Sequence, residues 1–549
     1  MLALFRAHGA AAGASALAVG WFFYLGYGAT LSPWRISWLL RGDWAQAFWG
    51  LCFFRNASWS FPLGATPDLL WPFGTSIGFT DAIPWLALAC KLISGLLPLD
   101  FQPFGSWFLL CFALQGWFGA RITSVFSADP VQQALGGALF ALTPVLPARN
   151  GHIALCSLFF VTAGVYLCLR PVESRTRALA LLVGALPWLI WAAGTHAYLS
   201  AMLVALVLAY CARVAWCERW LAPAELALAV VVVAGSSLAA YWLLGYVGWK
   251  ALAPAGGFGE FASDLSALIN PQEWSRWARK LPYQERQAEG FAYLGSGVLA
   301  LLVLRGLLFL RRPSAIWPGA RRHWPLLLAL SAMWIYSLSS SVRLNGREVL
   351  DLQPVYAQLS WLTQVFRSSG RFVWPLHIAL IAAAVSACAA LPMRGVARAL
   401  LLAAVVSQAA ELERKQLDFQ PVELATLDAP VWQTLPDHYR HLALAPMHLK
   451  WNCRYDEALV HRVSYEAYRR GLTINSGSVA RKELAVKALC KRELAAPVSL
   501  EPRTVYVLDR KHLRYFREHA VCGRIDGLLI CVSDQRKTPL LEVLRRDPA

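Results

Sequence analysis

Residues 224–247 read AELALAVVVVAGSSLAAYWLLGYV, and Glu225 is the one charged side chain in the run. A bilayer core of about 30 Å is crossed by roughly 20 apolar residues in helix. This stretch meets that length, and its apolar residues form a continuous block with no amphipathic spacing. Ala178–Ile190, Phe291–Leu310 and Leu376–Leu391 are blocks of the same kind. Across all 549 residues 57% are hydrophobic and only 15% charged, where a soluble domain carries about a quarter charged residues. No soluble fold needs so many apolar blocks, so the chain reads as a polytopic α-helical membrane protein.

Twenty-five Trp residues fit this reading. Many, such as Trp34, Trp38, Trp71, Trp85, Trp188, Trp249 and Trp374, stand near block ends, where a ring half in water anchors a helix at the interface. The formal charge of +18 does not indicate nucleic acid, because much of the excess is Arg at helix ends. Arg6, Arg121, Arg170/Arg175/Arg177, Arg213/Arg219, Arg311/Arg312/Arg321/Arg322 and Arg394/Arg398 alternate with junctions poor in cations, such as Leu99-Asp100 and Gly194-Thr195-His196. The positive-inside bias places these clusters and the N-terminus in the cytoplasm.

The count closes only if residues 82–97 do not cross. That segment is short, starts near Pro84, carries Lys91 and ends at Pro98, so it is expected to lie in the interface. Eleven spans follow, near 10–31 (a retained anchor, too long for a cleaved signal), 104–121, 131–147, 153–170, 178–194, 197–213, 224–246, 291–310, 324–341, 372–391 and 396–411. Residues 1–412 then form a membrane module whose long loops 32–102, 248–290 and 342–371 all face outward. Residues 413–549 form a small soluble α/β domain on the same extracytoplasmic side. Within that tail, His441–Ala445, Thr504–Leu508 and Leu528–Val532 read as strands, and Ala480–Leu494 and His512–His519 as helices. Four Cys there suit disulfides in an oxidising compartment, with Cys522–Cys531 and Cys453–Cys490 the favoured pairing of three. The other eight Cys read as apolar fillers.

Candidate chemistry gathers on the outer side. The first loop carries Asp43 and Asp81 amid Pro, Gly and aromatic residues that imply fixed turns. Either acid could act as a general base toward a hydroxyl, and Asp43 could ligate a divalent cation such as Mg or Mn. Against this, Asp43 could simply cap a helix or pair with Arg41, and Asp81 could cap the helix after Pro84. Arg149 and His152, in RNGH at a short junction, suit an anionic lipid headgroup, because Arg grips phosphate bidentately. Arg367 and Arg371, in FRSSGRF, defy the positive-inside bias and suit the same phosphate. His196, Glu260, Glu285 and Glu289 are candidates for contacting substrate hydroxyls. The plainer readings are a packed histidine and solvated loop acids.

An early acid in the first outer loop, an in-plane helix behind it, outward long loops and an outer C-terminal domain together resemble the C-superfamily (GT-C) membrane glycosyltransferases. WSFPLG (59–64), FGTSIGFTDAIP (73–84), RNGH (149–152), LINPQ (268–272), EGFAYLG (289–295) and FRSSGRF (366–372) are similar to an uncharacterised bacterial family of such proteins, over nearly the whole chain. The resemblance implies a GT-C-like fold in the bacterial inner membrane and a sugar donor linked to polyprenyl phosphate. It also implies a glycan, lipid or protein acceptor and inversion at the transferred sugar. It makes Asp43 the base or metal partner, sets Arg149 and His152 among the superfamily's polar groups at the third span, and gives the carrier phosphate to Arg367 and Arg371. Asp43 stands alone as Gly-Asp-Trp, without the paired acidic motif. Two other classes compete. A transporter or flippase of lipid-linked saccharides would carry ionisable groups near the bilayer midplane, whereas here they cluster at the outer rim. A non-catalytic scaffold would bind polysaccharide through the tail.

Overall fold

A computed structural model describes residues 2–311, 317–412, 419–495, 500–533 and 536–549. The chain folds as two units: Met1–Leu31, Phe104–Ala240 and Ala255–Asp418 form the first, and Ser32–Pro103, Tyr241–Pro254 and Phe419–Ala549 the second.

The first unit is helical. Among the described residues of the chain, six helices are long and apolar enough to cross a membrane: Phe104–Phe126, Pro130–Ala148, Arg175–Ala193, Ala197–Cys217, Pro223–Leu243 and Ser369–Ala389. Helices Leu2–Tyr24, Phe159–Leu169, Ser296–Arg311, Trp317–Ser337 and Arg394–Glu411 occupy the other five expected positions. The first of these ends earlier than the expected 10–31, because Gly26 adopts a left-handed φ of 90° that turns the chain into the 3-10 segment Tyr27–Thr30. Small residues bring the helices close, as is usual where lipid supplies no hydrophobic drive. A Cβ on Gly137 would stand 2.6 Å from Ala14 Cβ and 2.7 Å from the Gly116 carbonyl.

The connecting segments of this unit are fastened by buried acids. Glu411 accepts hydrogen bonds from the Tyr293 hydroxyl, Ser275 Oγ and the Ser296 amide, each at 2.6 Å. Asp264 accepts from the amides of Asn345 at 3.0 Å and Gly346 at 2.9 Å. These amides form the turn between strands β3 (Ser341–Leu344) and β4 (Arg347–Asp351); β1 (Ala65–Thr66) and β2 (Thr75–Ser76) belong to the second unit. Two segments distant in sequence are thus held in register near the candidate site.

The second unit departs from the expected division at residue 412, because the first loop folds with the tail. Its sheet has the order β6-β5-β7-β9-β8, from β5 (His441–Ala445), β6 (Thr473–Ile474), β7 (Thr504–Leu508), β8 (Val521–Ile525) and β9 (Leu528–Val532). β5 pairs in parallel with β6 and β7, and β9 is antiparallel to β7 and β8. The three expected strands lie where expected. The predicted 480–494 helix runs Leu484–Ala495, and 512–519 is Leu513–His519. The first loop prolongs the sheet beyond β6: the Trp71 amide donates to Ile474 O, and the Ile474 amide to Asp68 O, both at 2.9 Å. The physical reason is burial. Helix Gly42–Asn56 is buried continuously from Trp44 to Arg55 and has no solvent face, so it must be covered on every side. Asn56 donates to Tyr468 O at 2.8 Å and Trp49 to His461 Nδ1 at 2.9 Å.

Cys522 and Cys531 stand opposite one another on β8 and β9 and form a disulfide; the Cys453–Cys490 pairing falls outside the described residues. Of the eight other Cys, seven are buried and Cys217 is half-buried. The Cys522–Cys531 bridge closes a loop with a sequence separation of 9. Replacing both Cys with Ser is expected to cost about 2–3 kcal/mol, read as a lowered tail unfolding midpoint that reductant reproduces in the native chain. A midpoint unchanged by both would show that the bridge does not form.

Residues 82–97 do not make a crossing. They hold the helix Pro84–Leu92 and the 3-10 turn Ser94–Leu96, about 14 Å of helix at 1.5 Å per residue for the first. Pro84, Ala87, Leu88 and Cys90 are buried, while Leu92, Ile93, Leu96 and Leu99 are exposed, Leu96 by 85%. The Lys91 ammonium turns inward, 4.3 Å from the Phe54 ring and 4.7 Å from the Trp59 ring, and burial lowers its pKa to about 8. An exposed apolar edge of this kind is what a segment lying in a lipid interface presents. A nitroxide-sensitive fluorophore at Leu96→Cys is expected to be quenched by lipids labelled near the headgroup and not by aqueous quencher; the reverse pattern would place the edge in water.

Candidate anion site and the first-loop acids

The predicted residues fall into two groups. Arg149, His152, His196, Glu260, Glu285, Glu289, Arg367 and Arg371 lie in the first unit, and Asp43 and Asp81 in the second.

Three of the first group meet around a fourth. Arg149 follows the short helix Val145–Ala148, which Thr143-Pro144 sets off from Pro130–Ala141. The His152 amide donates to Arg149 O at 2.9 Å, so a tight turn puts both side chains on one spot. Glu289 is the penultimate residue of the 3-10 segment Glu285–Gly290, and Arg371 lies in Ser369–Val373, just before the helix Trp374–Ala389. Glu289 Oε2 accepts from Arg371 Nε at 2.8 Å and from Arg149 Nη1 at 3.2 Å. His152 Nε2 is 3.5 Å from Glu289 Oε1. Arg149 Nη2 donates to Ala288 O at 2.8 Å, and the Arg371 guanidinium lies 4.8 Å from the centre of the Tyr198 ring.

The electrostatics are those of a nearly dry cluster. Side-chain exposure is 9% for Arg149, 9% for Arg371 and 18% for Glu289. Burial alone would raise the Glu289 carboxyl, but Arg371, Arg149 and the bond from His152 outweigh it and hold the group well below the usual glutamate range. Even with a neutral imidazole these four side chains sum to +1. Arg149 Nε is buried with no acceptor, which is costly for a charged donor.

Glycine explains the motifs on either side. A Cβ on Gly370 would stand 2.8 Å from Gly290 Cα and 2.7 Å from the Ala262 carbonyl carbon; one on Gly290 would be 2.5 Å from Ser263 Cα. Glu289-Gly290 and Gly370-Arg371 are therefore pressed together at their glycines, which brings carboxylate and guanidinium into contact. Gly370→Ala is expected to cost about 1–3 kcal/mol by overpacking and to break the Arg371–Glu289 pair. Thermal unfolding of Gly370→Ala beside Gly395→Ala, where a Cβ meets nothing within 4 Å, checks this.

The remaining candidates take other roles. Arg367 does not join the cluster: it donates to Gly256 O at 3.3 Å and lies 5.6 Å from the Phe261 ring. Glu289 is the counter-ion of the arginines, where a hydroxyl contact was expected. Glu260 pairs with Arg286, both well exposed, and Glu285 is exposed in the first turn of its 3-10 segment. His196 caps the helix Ala197–Ala212, its Nδ1 accepting from the Tyr198 amide at 3.2 Å.

In the second unit Asp43 occupies the first turn of Gly42–Asn56, where a carboxylate favours the helix dipole. Its carboxylate lies 3.4 Å from the Lys450 ammonium, and the Arg41 guanidinium packs on Trp44, 5.6 Å from the ring. The N-cap position of the following helix is held by Ile83, two residues after Asp81. Asp81 has a left-handed φ of 59° and accepts from Gln46 Nε2 at 3.4 Å, while Gln46 Oε1 accepts from Ser478 Oγ at 2.8 Å. The ligand set does not fit a divalent cation at Asp43: a lysine already supplies the positive charge, and no group of three or more His, Cys, Asp or Glu suited to a metal occurs among the described residues. Lys450, Glu457 and His461 had no sequence signal tying them to Asp43, beyond the i,i+4 spacing of the last two on one helix.

No curated protein matches the chain. Residues 15–413 match the model for the domain of unknown function DUF6311, and residues 431–533 match the DUF6311 C-terminal domain. The chain belongs to the DUF6311 family.

Proposed function

We propose that this is a membrane glycosyltransferase of GT-C-like architecture with eleven spans, moving a sugar from a polyprenyl-phosphate donor to an extracytoplasmic glycan, lipid or protein acceptor. The observation that carries the reading is Arg149, whose buried Nε lacks an acceptor beside a carboxylate that two guanidinium groups share. A phosphate offers more acceptor positions than one carboxylate, and Arg meets it bidentately. The carrier phosphate would join or displace Glu289 at Arg149, Arg371 and His152, with the polyprenyl tail along the helices. In the reaction a general base takes the proton of the acceptor hydroxyl, whose oxygen bonds to the sugar's anomeric carbon. The bond from that carbon to the phosphate oxygen breaks, and the guanidinium groups stabilise the charge that the leaving phosphate gains. The Cys522–Cys531 bridge supports an oxidising, extracytoplasmic setting for the tail, in the inner membrane of a bacterium.

The test is to incubate purified protein with polyprenyl-phosphate sugars and measure free polyprenyl phosphate. Release that falls with Arg371→Ala supports the proposal. No release, together with labelled lipid-linked saccharide crossing vesicle walls, would replace it with a flippase.

A further inference from the structure

We propose that Trp451, Lys450, Asp43 and Glu457 form a binding site for a neutral oligosaccharide in the second unit. The sheet topology singles out this place. From β5 the chain passes through the helix Glu457–Arg469 to β6 on one side, while β7 leads toward β8 and β9 on the other. Segments leaving the carboxyl ends of β5 and β7 therefore diverge, and open α/β sheets bind ligands in the crevice at such a switch point. Residues 446–456 form one wall and are tied to the other by the ion pair of Arg454 with Asp509.

At the tip of this wall Trp451 is 81% exposed on a turn pinned from several sides. The Lys450 amide donates to Gly477 O at 3.3 Å, the Asn452 amide to Leu449 O at 3.1 Å, and Lys482 Nζ to Lys450 O at 2.7 Å. An indole held rigidly in water offers an apolar face at little entropic cost to a sugar ring. The Lys450 ammonium is 5.7 Å from that ring and 3.4 Å from Asp43 Oδ1. Glu457 Oε1 accepts from the Gly42 amide at 2.9 Å, next to Asp43. Behind Glu457, His461 is 4% exposed in its side chain, and its Nε2 has no hydrogen-bond partner, lying 3.8 Å from Glu457 Oε1. Trp49 donates to its Nδ1, which leaves the proton on Nε2, aimed at that carboxylate. The carboxylates of Asp43 and Glu457 are matched here by the ammonium groups of Lys450 and Lys482, so no net charge selects an ion. Sugar hydroxyls, which both donate and accept, suit the mixture.

This site goes beyond the donor-phosphate reading and does not depend on it. The experiment uses the full chain in nanodiscs free of sugar detergents, with maltoheptaose, cellopentaose and chitotetraose as probes in saturation-transfer NMR. At least one is expected to receive transfer, weakened roughly tenfold by Trp451→Ala, as for loss of an aromatic contact and its buried area, and by Glu457→Gln. Trp361→Ala, another exposed indole, should leave binding unchanged. Silence from all three probes, or equal binding by Trp451→Ala, overturns the site. Oligosaccharide binding without any polyprenyl-phosphate turnover would keep this inference and remove the transferase.

Discussion

Glu289→Gln is expected to destabilise the first unit by about 3–5 kcal/mol, the cost of leaving buried partners without their counter-charge, and to make its stability depend on added phosphate. In the native chain the carboxylate holds Arg149 and Arg371, each with a side chain only 9% exposed. Its loss leaves two guanidinium groups and His152 facing an uncharged amide. An anion that binds only the folded state stabilises it by mass action. Polyprenyl phosphate should therefore raise the Tm of Glu289→Gln more than that of the native protein. Equal shifts, or none, would mark the cluster as a structural ion pair. The pH dependence has a definite sign. The folded carboxyl titrates well below its ordinary value, so its stabilisation is complete above the unfolded value of about 4.3. It is lost as pH falls from there through the folded value. Native protein should lose stability faster than Glu289→Gln between pH 5 and the acid limit, as measured by thermal unfolding at stepped pH.

Asp43→Asn, a change at the base that the family resemblance implies, is expected to lower turnover by about 10²–10⁴, with little change in Tm. The Asp43–Lys450 pair is partly exposed, the Asp43 side chain by 35%, and pairs of that kind contribute at most about 1 kcal/mol. Release of free polyprenyl phosphate and thermal unfolding, measured on the same preparation, separate the two effects. Full turnover in Asp43→Asn would move the base elsewhere, with Asp81→Asn the next variant. A large fall in Tm would instead show Asp43 holding the first loop to the tail.

The residues of the anion site were legible one by one but not as a group. Arg149 and His152 stand out in sequence as polar groups in a short junction between apolar blocks, and Arg371 as a cation where the expected topology disfavours one. Glu289 was visible only as a loop acid, because nothing local shows that Gly290 and Gly370 would be pressed together. Arg367 carries the same local signal as Arg371 and lies four positions before it, yet only Arg371 enters the cluster. The 3-10 turn Ser369–Val373 carries the second guanidinium inward, while the first remains on Phe261. Likewise nothing local to Asp81 shows that its carboxylate meets Gln46, on a backbone that is left-handed at Asp81 and Ile83.

Hydrophobic length and charge asymmetry, which are local quantities, by themselves determined that this is a helical membrane protein and that residues 82–97 stop short of a crossing, and local strand patterning placed the three main tail strands. Tertiary structure alone decided that the first loop belongs with the tail, that Arg149, His152 and Arg371 converge on Glu289, and that Lys450 and Glu457, with His461 behind them, meet the start of the helix Gly42–Asn56. These are contacts between residues up to several hundred positions apart. They are set by which buried surfaces can cover one another, and no window along the chain contains both sides of such a contact.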